Sequence, residues 1–333
     1  MSGQDQKSSL KILFHIGANK TGSTALQNML YNNRHMLYKY GICYKDSGFY
    51  KSGLQSINGG KLYQLLKSGA SHIEINREIT KLIEPDHLSI ISNEQLSLLK
   101  EAGWQKLFES LRELGANFQI IAYVRSPLGY YISRYQQQVK KGRFSGNLDE
   151  FIDDHQWNHL NMLQNLLKFG NNLNLKVIPY DQHSAKLFGT FWDYVFTTFG
   201  IDIRGLIPED HFLTNRGISM EEINMLCSIK RNHGMKTSSI ISNFLVNEVE
   251  KNGTELTYSS LQIQKITNRH QEHVRWVNDT FLEPDNVIQN NVEDYTIVDV
   301  DQTDDYPDSS TTMKVIHFLL RRLNALGEEQ SEK

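Results

Sequence analysis

The sequence predicts an α/β fold: a three-layer sandwich with a mainly parallel central sheet covered by helices on both faces, and a helical C-terminal extension. Two observations carry this reading. Up to Gly200, short apolar runs alternate with longer stretches of helical spacing, the pattern of a parallel sheet built from strand–helix–strand units. The first such run is apolar and ends at a glycine, as expected of a buried parallel strand.

The first run, Lys11-Ile-Leu-Phe-His-Ile16, ends at Gly17. From Ser23 to Tyr40 the spacing is helical, with Leu26, Met29, Leu30, Met36 and Leu37 near one side. Further strands are expected over Ile42 to Tyr44, Leu88 to Ser92, Phe118 to Val124 and Leu175 to Tyr180. Helices are expected between them, over Gly60 to Lys67, Asn76 to Ile83, Gln105 to Leu114, Leu128 to Lys141, Leu148 to Phe169 and Ser184 to Phe199. After Gly200 the strand signal fades, and Ser219 to His233, Ile240 to Lys251, Ser259 to Phe281 and Thr312 to Leu326 read as helices. Ser219 with Glu222 three residues later has the form of a capping box. The acidic segment 292–310, broken by Pro307, reads as a surface loop or linker. The expectation is a single domain over 10–333, with an α/β core over 10–215 and a mostly helical extension over 216–333.

Composition narrows the function classes. A chain of 333 residues with 39% hydrophobic content can bury one large core. Its 35 Lys and Arg against 38 Asp and Glu give a net charge of −3, with no global attraction for nucleic acid or an anionic membrane. The two cysteines, Cys43 and Cys227, lie far apart, which suggests neither a zinc site nor a disulfide framework and suits a reducing compartment. The apolar run from Leu10 to Ile16 is too short for a signal-peptide core, and no stretch reaches the roughly 18 apolar residues of a membrane span. A soluble, cytoplasmic protein is expected.

The most informative stretch is His15-Ile-Gly-Ala-Asn-Lys-Thr-Gly-Ser-Thr-Ala-Leu-Gln27, which follows a predicted strand and opens a predicted helix. There, backbone N–H groups and the helix N-terminus converge on an anion. Gly17 and Gly22 have the spacing of a nucleoside-triphosphate P-loop, but Ser23 stands where that loop carries its lysine, and the lysine appears earlier, at Lys20. A lysine after the second glycine reaches the β- and γ-phosphates, so transfer of a γ-phosphate is poorly served here. Lys20 suits the oxygen bridging a phosphate and a leaving group, with Thr21, Ser23 and Thr24 as further donors. A second candidate follows the strand Phe118 to Val124: Arg125-Ser-Pro127 opens a helix that carries Ser133. Proline suits a first helical turn, and a guanidinium grips phosphate bidentately.

These two segments resemble PAPS-dependent sulfotransferases, in which PAPS is 3′-phosphoadenosine 5′-phosphosulfate. Lys20-Thr-Gly-Ser-Thr24 is similar to the family's 5′-phosphosulfate loop, most of all in bacterial and carbohydrate-type members, whose loop continues to a Leu-Gln as here. Asn19 stands where a proline is frequent. Arg125 and Ser133, eight residues apart, are similar to the family's 3′-phosphate site. Asn215-Arg216-Gly217 resembles its later loop over that phosphate, and a helix-opening turn explains those residues equally well. The resemblance implies a P-loop-type sandwich, with Lys20, Thr21, Gly22, Ser23, Thr24, Arg125, Ser133, Arg216 and Gly217 around the donor and no metal. It implies in-line attack of an acceptor hydroxyl or amine on sulfur, with adenosine 3′,5′-bisphosphate leaving and Lys20 stabilising the charge that develops.

On the acceptor side, Glu94 follows the strand Leu88 to Ser92. The resemblance points to it as the base, and capping of the next helix is the competing explanation. His15, His155, His159 and His183 are alternative bases, of which His15, at the end of the first strand, reads first as a core residue. Lys140, Lys141 and Arg143, with Lys45, Lys51 and Lys61, either meet an acidic saccharide or form a solvated face, and Trp157 contacts a ligand or is buried. The resemblance favours a carbohydrate acceptor. Two rival readings remain: a P-loop kinase or NTPase using Mg-ATP, and a nucleotide-binding module without catalysis.

Overall fold

The computed structural model describes residues 10–18, 20–46, 57–170, 173–207, 217–248 and 256–297, and residues 312, 315, 318 and 319. The chain forms two compact units that alternate along the sequence. One comprises Met1–Ser126, Trp157–Leu213 and Glu272–Gln289, and the other Pro127–Gln156, Thr214–Gln271 and Asn290–Lys333.

The first unit is built on a five-stranded parallel sheet, β1 (Lys11–His15), β2 (Ile42–Cys43), β3 (Leu88–Ser92), β4 (Asn117–Val124) and β5 (Leu175–Pro179), in the order β2-β3-β1-β4-β5. Its helices are α1 (Ser23–Asn32), α2 (Arg34–Lys39), α3 (Gly60–Ser68), α4 (His72–Leu82), α5 (Glu101–Glu113), α8 (Asn158–Leu167), a short α9 (Tyr180–His183) and α10 (Leu187–Phe199). Successive side chains of a strand point to opposite faces. Leu13 therefore joins Leu26, Leu30, Ile90 and Phe191 in a core formed with α1, α2 and α10. Phe14 turns the other way and meets Phe118, on which Phe108 of α5 stacks. The sheet is thus covered on both faces, as the alternation of strands and helices predicts.

The second unit holds α6 (Pro127–Lys140), α7 (Leu148–Asp154) and α11 (Met220–Glu248), together with the two-residue strands β6 (Thr257–Tyr258) and β7 (Thr296–Ile297), which pair in parallel. α12 (Ser260–Phe281) begins in this unit and ends in the first. The predicted capping box is present: Ser219 N donates to Glu222 Oε2 at 2.9 Å, and Glu222 N to Ser219 Oγ at 3.3 Å.

The structure corrects several predicted elements. The helix expected over 23–40 breaks at Asn33, whose amide donates to Met29 O at 2.9 Å and so competes with the backbone ladder. The helix expected over 148–169 divides into α7 and α8 across His155 to Trp157, where the chain also passes from one unit to the other. A second capping box, Ser71 with Glu74, starts α4 four residues earlier than its apolar spacing indicates. The helices expected over 219–233 and 240–251 form one run interrupted at Gly234, with φ 82° and ψ 174°. β6 and β7 are too short to show a strand period, and β7 falls within the predicted loop 292–310, of which 298–310 lies outside the described residues. Of the helix expected over 312–326, residues 312, 315, 318 and 319 are helical. No described helix is long and apolar enough to cross a membrane.

Candidate anion-binding site

β1 and β4 are neighbours, yet their outgoing connections diverge: the chain leaves β1 for β2 on one side of the sheet and leaves β4 for β5 on the other. Such a switch opens a crevice beyond the carboxyl ends of the two strands. Residues 16–18, 20–22 and Arg125 emerge there. Ile16 N donates to Ile121 O at 3.0 Å and Ala18 N to Tyr123 O at 3.4 Å, so the start of the loop continues the ladder with β4.

Beyond Ala18 the loop turns tightly. Lys20 takes φ 74°, a left-handed conformation that few non-glycine residues adopt, and Gly22 follows at φ 71°. A Cβ on Gly22 would lie 2.6 Å from Leu187 Cδ2 and 3.0 Å from Tyr180 Cε2, so glycine is required there for space as well as for φ. Gly22 is the N-cap of α1 and supplies no side-chain cap, and a helix start leaves its first N–H groups without intrahelical acceptors. Thr21 and Ser23 are buried, with their hydroxyls turned inward: Thr21 Oγ1 donates to Ala18 O at 2.6 Å and Ser23 Oγ to Gly17 O at 3.2 Å. Thr24 is exposed on the first turn of α1.

Arg125 is held from three sides. Its N–H donates to His159 Nδ1 at 2.9 Å, and its carbonyl accepts from Trp157 Nε1 at 3.1 Å. Its guanidinium Nε donates to Asp181 Oδ1 at 2.9 Å, while Asp181 Oδ2 accepts from Ser126 N at 2.7 Å. The guanidinium also lies 5.5 Å from the centre of the Tyr180 ring. Its Nη1 then reaches the loop itself and donates to Lys20 O at 3.3 Å. Two segments 105 residues apart are joined by that bond.

At the end of β3, the capping role belongs to Asn93, whose side chain accepts from Gln95 N at 2.8 Å and starts the 3-10 turn Glu94–Leu98. The Glu94 carboxylate is half-buried, and its Oε2 accepts from Gln27 Nε2 at 3.2 Å. Gln27 is fully buried, on the second turn of α1.

The four histidines have distinct surroundings. His15 is fully buried, with Nδ1 2.7 Å from Ser92 Oγ, and burial lowers its pKa to about 3. His159 clamps Arg125, as described. His183 pairs with Asn286 Oδ1 at 2.7 Å, and His155, in the second unit, stacks on Phe151. Trp157 is buried. Lys45 forms an ion pair with Glu84 at 2.7 Å and Lys61 one with Glu78 at 3.7 Å, while Lys51 lies outside the described residues. Ser133 is half-buried, two turns into α6 of the second unit, which also carries Lys140, Lys141 and Arg143. Gly217 is exposed ahead of α11 in the same unit, and Arg216 lies outside the described residues, as does Asn19. Among the described residues, no three His, Cys, Asp or Glu side chains are grouped to hold a metal ion.

The first unit thus brings together Lys20, Thr21, Gly22, Ser23, Arg125 and their supports. Sequence reasoning passed over Asp181, and gave Gln27, Trp157 and His159 no supporting role. Asp181 had a legible signal, since it follows a strand at the same edge of the sheet as Arg125 and Glu94.

The chain is similar to several solved structures, two of them sulfotransferases. A sulfotransferase from Alicyclobacillus acidocaldarius aligns at 15% identity over 57% of this chain and 81% of its own, with a TM-score of 0.37. The sulfotransferase domain from the Curacin biosynthetic pathway aligns at 14% identity over 78% of this chain and 97% of its own, also with a TM-score of 0.37. No family model matches the sequence, and no curated protein does.

Proposed function

We propose that this protein is a sulfotransferase that takes its sulfuryl group from 3′-phosphoadenosine 5′-phosphosulfate. One observation carries the reading: the bond from Arg125 Nη1 to Lys20 O, which unites within one unit the two segments whose sequences each suit a phosphate. The residues fit the donor. The loop and the start of α1 offer backbone N–H groups to the 5′ end, and Arg125 has guanidinium N–H groups beyond those that bind Asp181 and Lys20.

The donor, when bound, supplies an activated sulfuryl group on a bisphosphate leaving group. Lys20 neutralises charge on the departing oxygen. Arg125 holds the 3′-phosphate. Glu94, steadied by Gln27, takes the proton of the acceptor hydroxyl or amine as its oxygen or nitrogen bonds to sulfur. The acceptor is a saccharide in this reading.

Calorimetric titration with adenosine 3′,5′-bisphosphate, PAPS and Mg-ATP tests the donor assignment, and transfer of labelled sulfate to a panel of saccharides tests the reaction. Binding of the first two ligands with little binding of Mg-ATP is expected. At 100 times the dissociation constant, a ligand stabilises the fold by about 2.7 kcal/mol, which thermal melting reads independently. Binding of Mg-ATP alone would overturn the proposal in favour of a kinase or NTPase. Tight bisphosphate binding with no transfer to any acceptor would favour a binding module.

A further inference from the structure

His15 ends β1 beside Ser92, its register partner in β3. Its Nδ1 lies 2.7 Å from Ser92 Oγ, and the Tyr44 phenol hydrogen-bonds to Ser92 in turn and to the backbone of Asn58. The ring packs edge-on against Tyr123 and Phe191, with centroids 5.8 and 6.2 Å away. The other ring nitrogen, Nε2, is buried and has no hydrogen-bond partner among the described residues. Leaving a buried ring nitrogen unsatisfied is costly.

Its surroundings suggest why that cost is tolerated. A Cβ on Gly17 would fall 2.7 Å from His15 Nε2, 2.7 Å from Ser23 Oγ and 2.9 Å from Thr21 Oγ1. Three polar atoms therefore surround one bare Cα at the root of the loop. Both hydroxyl protons are directed to loop carbonyls, which leaves the hydroxyl oxygens able to accept. With Ser92 donating to Nδ1, the imidazole proton sits on Nε2. Burial keeps the ring neutral, so it contributes direction rather than charge.

We propose that His15 is a positioning residue of the anion loop: on anion binding, its Nε2–H donates to the Ser23 or Thr21 hydroxyl oxygen, and that hydroxyl turns its proton from the loop carbonyl to the anion. In this proposal Ser92 donates to Nδ1 and accepts from Tyr44, which keeps the proton on Nε2. The inference rests on the reading of the loop as the donor site, and the experiment separates the two.

Adenosine 3′,5′-bisphosphate is titrated into wild type, His15→Gln, His15→Asn and His15→Leu, with thermal melting alongside. A glutamine amide places an N–H close to the Nε2 position, whereas an asparagine amide reaches only the Nδ1 position. His15→Gln is expected to bind within about threefold of wild type, and His15→Asn and His15→Leu about tenfold more weakly, the scale of one lost hydrogen bond. A merely structural role moves affinity in step with melting temperature and gives glutamine no advantage; that result overturns the proposal. Histidine-selective nitrogen NMR on the wild-type protein covers variants that fail to fold. It should show the proton on Nε2, with a resonance that shifts when inorganic phosphate or the bisphosphate is added. A proton on Nδ1, or a resonance that neither anion moves, also overturns the proposal. Wild type that responds to inorganic phosphate but not to the bisphosphate keeps the role of His15 and refutes the donor assignment alone.

Discussion

Replacing Arg125 with alanine tests the junction of the two anion segments. The guanidinium has five N–H donors. One binds Asp181 at 2.9 Å and one binds Lys20 O at 3.3 Å, which leaves three for a ligand, including both on Nη2. A phosphate gripped by two charge-assisted bonds gains about 2–3 kcal/mol. At about 1.4 kcal/mol per tenfold, the variant should bind adenosine 3′,5′-bisphosphate about 30- to 140-fold more weakly. The cost to the fold is smaller. The Arg125 and Asp181 side chains are 22% and 25% exposed, and ion pairs near a surface contribute about 1 kcal/mol or less. Asp181 keeps its bond from Ser126 N, and the main chain at residue 125 stays clamped by Trp157 and His159.

The assay is calorimetry with two ligands, adenosine 3′,5′-bisphosphate and adenosine 5′-phosphate. If the guanidinium grips the 3′-phosphate, the loss appears with the first ligand and is nearly absent with the second. Arg125→Lys, which keeps the charge without the planar fork, should fall between wild type and alanine. Equal losses with both ligands would refute the reasoning, because they would mean that Arg125 acts only by holding the loop through the Lys20 carbonyl. Unchanged affinity for both would remove Arg125 from the site.

The remaining predictions use the same material. Glu94→Gln should lower the turnover of sulfuryl transfer by about 10²- to 10⁴-fold while bisphosphate affinity holds, and equal activity in the variant would exclude Glu94 as the base. Gly17→Ala places a methyl group within 2.9 Å of three polar atoms, so it should cost about 1–3 kcal/mol in denaturant unfolding and impair bisphosphate binding. His15 has a folded pKa of about 3, below the ordinary histidine value of 6.5, so its contribution to stability is present in full above pH 6.5 and is lost as pH falls toward 3. Between pH 7 and 5.5 the wild type should lose stability at a slope approaching 1.4 kcal/mol per unit, and His15→Gln should show a flatter profile; matching profiles would place the proton uptake elsewhere.

The sheet was legible because burial on both faces leaves a signal that needs no neighbour to interpret: the strands carry short apolar stretches such as Ile12 to Phe14, Ile90 to Ile91 and Ile120 to Val124. The loop was legible for a related reason, since Gly17, Lys20 and Gly22 are set by local backbone demands. What escaped depends on partners distant in sequence. Nothing around Trp157 or His159 announces that they bind the two ends of the Arg125 peptide, because those bonds span 32 and 34 residues. The break between α7 and α8 was hidden by helical spacing that continues across it, and the structure places it where Trp157 turns toward Arg125. The early start of α4 is a different kind of miss, since Ser71 and Glu74 carried a capping box in plain view. His15 is instructive in both directions. Its place in the core was readable, but the orphaned Nε2 appears only when Gly17, Thr21 and Ser23 are seen around it.

Strand order explains why these parts meet. Were β1 and β4 separated by β3, Arg125 would emerge one further strand spacing, about 4.8 Å, from the loop, beyond the reach of its bond to Lys20 O. Adjacent parallel strands whose connections depart to opposite sides set the two carboxyl ends against an open crevice, with β3 delivering Glu94 from the other flank of β1. The left-handed turn at Lys20 directs its carbonyl to Arg125, so the residue that breaks the P-loop pattern in the sequence is also the one that ties the loop to the second segment. A lysine in the usual position, after Gly22, would sit on the first turn of α1 instead, while the main-chain carbonyl at position 20 would still accept from Arg125. Moving the lysine by transplanting it, Lys20→Gly with Ser23→Lys, should therefore weaken bisphosphate binding without creating Mg-ATP binding, because the loop's path depends on Arg125 as well as on its own glycines.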